Sequence, residues 1–99
     1  MRILLVCNAG MSTSMLVSRM QKAAEQRGMN IEIMAVPIMQ AETILKEWDI
    51  VMLGPQVRHQ LQYLQNKAEG QVPVCIIEMR DYGMMNGDKV LDAALKVIG

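Results

Sequence analysis

The residues with the most chemistry to offer lie near the start of the chain. Cys7 directly follows the apolar run Arg2 to Val6 (RILLV), and Cys7 to Ser14 reads CNAGMSTS. Asn8 and Gly10 carry loop chemistry, and Ser12, Thr13 and Ser14 are candidate N-caps for a helix that begins there. The free amides of a helix start point at whatever occupies such a loop, and the macrodipole favours negative charge in it. A thiolate at Cys7 is stabilised by the same field and becomes a nucleophile near neutral pH. If Cys7 accepts a phosphoryl group, the loop Asn8, Ala9, Gly10, Met11, Ser12, Thr13 and Ser14 can hold its oxygens through amides and hydroxyls. One arrangement then serves both attack and storage. The plainer alternative is that Cys7 is a small apolar residue ending a strand, as free cysteine often is. Cys75 is the internal control: it lies inside VPVCII with no such loop beside it, and is expected to be buried and inert.

The loop is not a nucleotide-binding P-loop, since it lacks G-x-x-x-x-G-K-[ST] and contains no lysine. It comes closer to the phosphatase pattern C-x-x-x-x-x-R-[ST], but Thr13 stands at the arginine position. An arginine there would bind the transferring group bidentately and stabilise the transition state. Without it a phosphocysteine should hydrolyse slowly, which suits a carrier. Asp81 falls after the fourth predicted strand, where a phosphatase could keep its general acid; the alternative is a solvated loop aspartate. His59, the single histidine, is either a proton shuttle or an exposed helix residue. Tyr82 and Met84 either border the site and meet a partner or simply pack. A low-molecular-weight phosphatase-like hydrolase and a non-catalytic anion-sensing domain are the rival readings.

The elements that must position this loop follow from hydrophobic spacing. RILLV fits a strand covered on both faces. A helix runs from Ser12–Ser14 to Arg27, with Met15, Leu16, Met20, Ala23 and Ala24 inward, and Gly28 ends it. Asn30 to Val36 is a second strand, closed by Pro37. Met39 to Lys46 is a short helix with Ala41, Ile44 and Leu45 inward. Asp49 to Leu53 is a third strand, broken by Gly54-Pro55. Gln56 to Glu69 is a helix facing inward through Val57, Leu61, Leu64 and Ala68. Val72 to Ile77 is a fourth strand, with Pro73 acceptable only near its start. Arg80 to Gly87 reads as a loop. Asp88 to Ile98 is the last helix, with Val90, Leu91, Ala94, Leu95 and Ile98 inward. Alternating strands and helices imply parallel pairing with right-handed crossovers. The expected fold is α/β: one domain over residues 1–99, a three-layer open sheet of four parallel strands with helices on both faces, and a phosphatase-like P-loop after the first strand. Ligands of such sheets bind at the carboxyl ends of the strands.

Composition narrows the function classes. The 99 residues are 52% hydrophobic, and ten acidic residues balance ten basic ones. Nucleic-acid binding usually shows a basic stripe, so it finds no support. No apolar run approaches the ~20 residues that span a bilayer, and MRILLVC is too short for a signal sequence. A cytoplasmic protein without direct membrane insertion is expected. The two cysteines lie far apart, no C-x-x-C occurs and histidine is single, so neither a disulfide nor a metal site is expected, and no cofactor. Methionine is abundant, at eleven, and phenylalanine is absent. Methionine either fills core gaps or forms an adaptable docking surface. No apolar edge or face is left unexplained, so a monomer is expected.

CNAGMSTS after an apolar strand closely resembles the active loop of enzyme IIB components of the phosphoenolpyruvate-dependent sugar phosphotransferase system, nearest to the lactose/cellobiose (chitobiose) type. Val51 to Gln56 (VMLGPQ) and Tyr82-Gly83 followed by Gly87 are similar to later segments of that group, so the resemblance extends over essentially the whole chain. It implies a protein-phosphohistidine–sugar phosphotransferase activity. Cys7 would be phosphorylated by a phosphohistidine of the IIA component. It would pass the group to a sugar on the membrane IIC component, a β-linked disaccharide such as cellobiose, chitobiose or lactose. Asn8 to Ser14 would form the cradle, with Asn8 where serine is common. Two successive partners must reach Cys7, which predicts a shallow pocket rimmed for docking by Met11, Pro37, Pro55, Val57 or Tyr82.

Overall fold

The run Arg2–Cys7 forms strand β1, in which Ile3, Leu4, Leu5 and Val6 are fully buried. A strand buried on both faces must be central, and β1 pairs in parallel with β2 (Glu32–Pro37) on one side and β3 (Ile50–Leu53) on the other. β4 (Val74–Ile76) adds in parallel to β3, giving the order β2-β1-β3-β4. The structure is a computed structural model that describes residues 1–8 and 10–99, and for 10–12 the backbone alone.

Strand alternation sends the β1 side chains to two separate cores. Ile3 and Leu5 join Leu16, Met20, Ile50, Met52 and Leu91 on one face; Leu4 and Val6 join Val36, Leu45, Val51, Leu53 and Leu64 on the other. Helices α1 (Gly10–Gln26), α4 (Met79–Gly83) and α5 (Gly87–Ile98) cover the first face. Helices α2 (Ile38–Ile44) and α3 (Leu61–Ala68) cover the second. The expected three-layer open parallel sheet is the fold. Each of the four buried β1 side chains contributes roughly 1.5–3 kcal/mol by leaving water, and the four of β3, Ile50 to Leu53, are buried to the same degree.

Several local expectations are corrected. The predicted helix over Gln56 to Glu69 is a 3₁₀ turn, Pro55–Gln60, followed by α3; Val57 has φ −116 and breaks the run. The predicted helix from Met39 ends at Ile44 and continues as a 3₁₀ turn, Leu45–Glu47. The fourth strand begins at Val74; Pro73, just before it, has no amide to donate, and its carbonyl accepts from the Val51 amide of β3 at 2.9 Å. The predicted loop Arg80 to Gly87 holds the five-residue α4. Met15 faces solvent, 53% exposed, because Leu16, Met20, Ala23 and Ala24 set the buried stripe and Met15 stands one residue, about 100°, around the helix from Leu16.

α5 lies unusually close to α1. A Cβ on Gly87 would stand 2.5 Å from the carbonyl carbon of Arg19, so no other residue fits there without moving the helices apart. At the far end of α1, Arg27 reaches Asp92 at 2.7 Å and Asp88 at 3.1 Å, both on α5. On the second face Tyr63 donates to Glu42, tying α3 to α2.

Candidate active site

The switch point of the sheet lies between β1 and β3, where the order turns back on itself. Cys7 is the last residue of β1 and stands opposite Pro37 of β2. α1 begins at Gly10, three residues on, and runs back over the sheet. Its first-turn amides, unpaired within the helix, therefore open at the carboxyl end of β1, with no acidic side chain in that turn to offset the dipole. Asn8 and Ser14 are exposed. Ala9 lies outside the described residues, as do the side chains of Met11 and Ser12 and with them any docking or phosphate contact those side chains make.

Thr13, at the position a phosphatase gives to arginine, is turned inward and only 1% exposed. Its hydroxyl shares a hydrogen bond of 3.1 Å with the hydroxyl of Tyr82. The neighbouring strand end is equally tight. The Gly54 amide donates to the Val6 carbonyl at 2.8 Å. A Cβ on Gly54 would meet the Gln56 side chain at 2.9 Å, and the Tyr82 ring and the Val6 carbonyl oxygen at 3.5 Å each. The glycine of the LGPQ segment thus leaves room for the Tyr82 ring beside the end of β1.

The rim differs from the expected one. Cys7 itself is buried, 4% exposed, rather than open in a shallow pocket, because it ends a strand covered by layers on both sides. Pro55 and Val57 are buried in the 3₁₀ turn after β3, and Tyr82 is buried against Thr13, so none of these three offers a docking surface. Pro37 is exposed as expected. Among the described residues, Met39 and Met79, close after the carboxyl ends of β2 and β4, stand out at 78% and 62% exposure; Met84, also exposed, lines a groove with Ser18, Arg19 and Lys22 further along α1. The methionine count was the signal that pointed to them. His59 is exposed in the 3₁₀ turn. Asp81 lines a surface groove with Lys89, Asp92 and Lys96 of α5, which among the described residues contains none of the Cys7 loop. Cys75 is half-buried, less enclosed than expected, and burial pushes its thiol pKa up.

A cysteine ending the central strand at the switch point, three residues before a helix start and with threonine at the phosphatase arginine position, defines a phosphatase-like α/β fold. The family model "PTS system, Lactose/Cellobiose specific IIB subunit" matches residues 2–93. The galactose-specific EIIB component of Lactococcus lactis subsp. cremoris (strain MG1363) is 50% identical over 98 residues, covering 93% of this chain and 91% of that protein. The cellobiose-specific EIIB component of Lactococcus lactis subsp. lactis (strain IL1403) matches with the same identity and coverage. The solution structure of the cellobiose-specific phosphotransferase IIB component from Borrelia burgdorferi superposes with a TM-score of 0.82 at 41% identity, covering 99% of this chain and 91% of that one. The chain belongs to the lactose/cellobiose-specific IIB family of the sugar phosphotransferase system. It is a phosphotransferase component, a carrier that passes phosphate through a cysteine during sugar uptake and works with IIA and IIC components. Among the described residues no helix is long and apolar enough to cross a membrane.

Proposed function

We propose that Cys7 is the cysteine that carries the phosphoryl group, cradled by the loop Asn8 to Ser14. The observation that carries this reading is position: Cys7 alone of the two cysteines ends a strand immediately before a helix start. Cys75 lies within β4, where burial favours its neutral thiol over the nucleophilic thiolate. In the first step the Cys7 thiolate attacks the phosphorus of a phosphohistidine on IIA. The S–P bond forms as the P–N bond breaks, and the electron pair goes to the imidazole nitrogen, which takes up a proton. In the second step a sugar hydroxyl oxygen attacks the same phosphorus. The S–P bond breaks, the thiolate is restored and the hydroxyl proton is released. Positioning and electrostatics do most of this work. The absence of a guanidinium at Thr13 keeps the intermediate from water-driven loss between the two steps.

The sugar is proposed to be a β-linked disaccharide bound on the membrane component. Two relatives at equal identity bear different sugar names, galactose and cellobiose, which fits a IIB component that has no sugar pocket of its own. Both partners are proposed to dock over the rim that includes Pro37, Met39 and Met79. The test is intact-mass measurement after incubation with phosphoenolpyruvate, the general phosphotransferase proteins and a IIA component of the lactose/cellobiose type. One phosphate should add to the wild-type chain and none to Cys7→Ser. An adduct that survives in Cys7→Ser, or turnover of an aryl phosphate lost in Cys7→Ser, would overturn the assignment.

A further inference from the structure

We propose that Tyr82 is a positioning residue for phosphoryl transfer, acting through its hydroxyl on Thr13 to hold the first turn of α1 over Cys7. This deepens the carrier reading above and rests on it. Thr13 is the one buried polar side chain among the described residues, and its hydroxyl meets that of Tyr82 from 69 positions away in sequence. A threonine near a helix start has two ways to satisfy its hydroxyl. It can turn back onto a backbone carbonyl three or four residues earlier, or it can reach outward to a partner. Tyr82 supplies the outward partner and so selects one side-chain conformation and one setting of the turn.

Tyr82 is itself held from several directions. Its ring lies beside Gly54, whose amide fixes the Val6 carbonyl one residue before Cys7. Its own amide donates to the Glu78 carbonyl at 2.9 Å. The chain then turns through Met85 at φ 52 and locks against α1 at Gly87. Tyr82 therefore ties the end of β1, the end of β3 and the start of α1 to one point. The tie is uncharged. A phosphatase would place an arginine at the position of Thr13, where it both orders the loop and stabilises departure of the phosphoryl group. A hydroxyl pair orders the loop without adding a positive charge to speed hydrolysis.

The experiment compares Tyr82→Phe, Thr13→Val, the double variant and Thr13→Ser, with kcat and KM of phosphoryl uptake from phosphorylated IIA measured separately. Tyr82→Phe keeps the ring that packs beside Gly54 and removes only the hydroxyl. Loss of one buried neutral hydrogen bond should lower kcat about 3- to 10-fold and leave KM within about twofold. Thr13→Val should do the same, the double variant should be no worse than either single change, and Thr13→Ser should keep at least about half the wild-type rate. Wild-type kcat in Tyr82→Phe, an effect confined to KM, losses that multiply in the double variant, or no rescue by serine would overturn the proposal. Failure of the wild-type chain to take phosphate on Cys7 would instead sink the carrier assignment itself, so the two failures are distinct.

Discussion

The thiol of Cys75 faces partial loss of water and no compensating donor, and its pKa rises for that reason. The sign of its effect on stability follows. Below the ordinary thiol value of about 8.5 both folded and unfolded chains carry the neutral group. Above it the unfolded chain loses its proton first, so the native state loses stability as pH rises, until the folded thiol ionises too. Urea midpoints measured at about pH 8 and about pH 10 should therefore fall further apart in the wild-type chain than in Cys75→Ala. Equal falls would show that the thiol is as well solvated in the fold as out of it. Because Cys75 lies outside the loop, Cys75→Ala should also take up phosphate at the wild-type rate. Cys7 and Cys75 are the same side chain in two settings, and this contrast was legible in the sequence: one cysteine opens a Gly/Ser/Thr loop and the other interrupts an apolar run. The burial of Cys7 was not legible, because it depends on what two other layers place over a strand end.

At the scale of elements, two glycines four residues apart make opposite demands. At Gly87 an added methyl group would press on the backbone of Arg19 and Met20, at 2.5 to 2.7 Å. Backbone cannot swing aside as a side chain can, so Gly87→Ala should push α5 off α1 and cost about 1–3 kcal/mol, or a fall in Tm of roughly 4–20 °C by the scaling for a domain this size. Gly83, at the end of α4, has nothing within 4 Å of its Cβ position. Gly83→Ala should be neutral or raise stability by up to about 1 kcal/mol, since alanine loses less freedom in a helix. Thermal melts of the two variants check both signs; a stable Gly87→Ala would mean that the helices are less closely held than their backbones imply. The sequence revealed the alternation of strands and helices, because each long element buries a periodic face. It did not reveal α4, whose residues Met79–Gly83 carry no apolar repeat, nor the burial of Pro55, which answers to the end of β3 rather than to helical spacing. The meeting of Thr13 with Tyr82 was equally hidden, since no local pattern reports a contact across the whole fold.

Taken whole, the molecule carries two well-exposed methionines on the edge at which its parallel strands end. Because the strands are parallel, the residues that follow β2 and β4 bring Met39 and Met79 to the side where Cys7 sits. The two partners do opposite work, one delivering phosphate and one passing it on to a sugar, yet each must present its group in line with the same sulfur. A flexible thioether can repack against unlike surfaces at little cost, which a rigid ring cannot do as well. With a formal net charge of zero, the chain has little overall charge to steer a partner in, so apolar contact at the rim should carry much of the affinity. Met39→Glu and Met79→Glu place charges on that rim without touching the loop. Each should raise KM for phosphorylated IIA about 5- to 10-fold, the cost of about 1 kcal/mol at an interface anchor, and leave kcat within about twofold. Val97→Glu, on the exposed side of α5, should change neither. Steady-state uptake measured over a range of IIA concentrations separates the two constants. Unchanged KM in both methionine variants would place the docking surface elsewhere on the carboxyl edge.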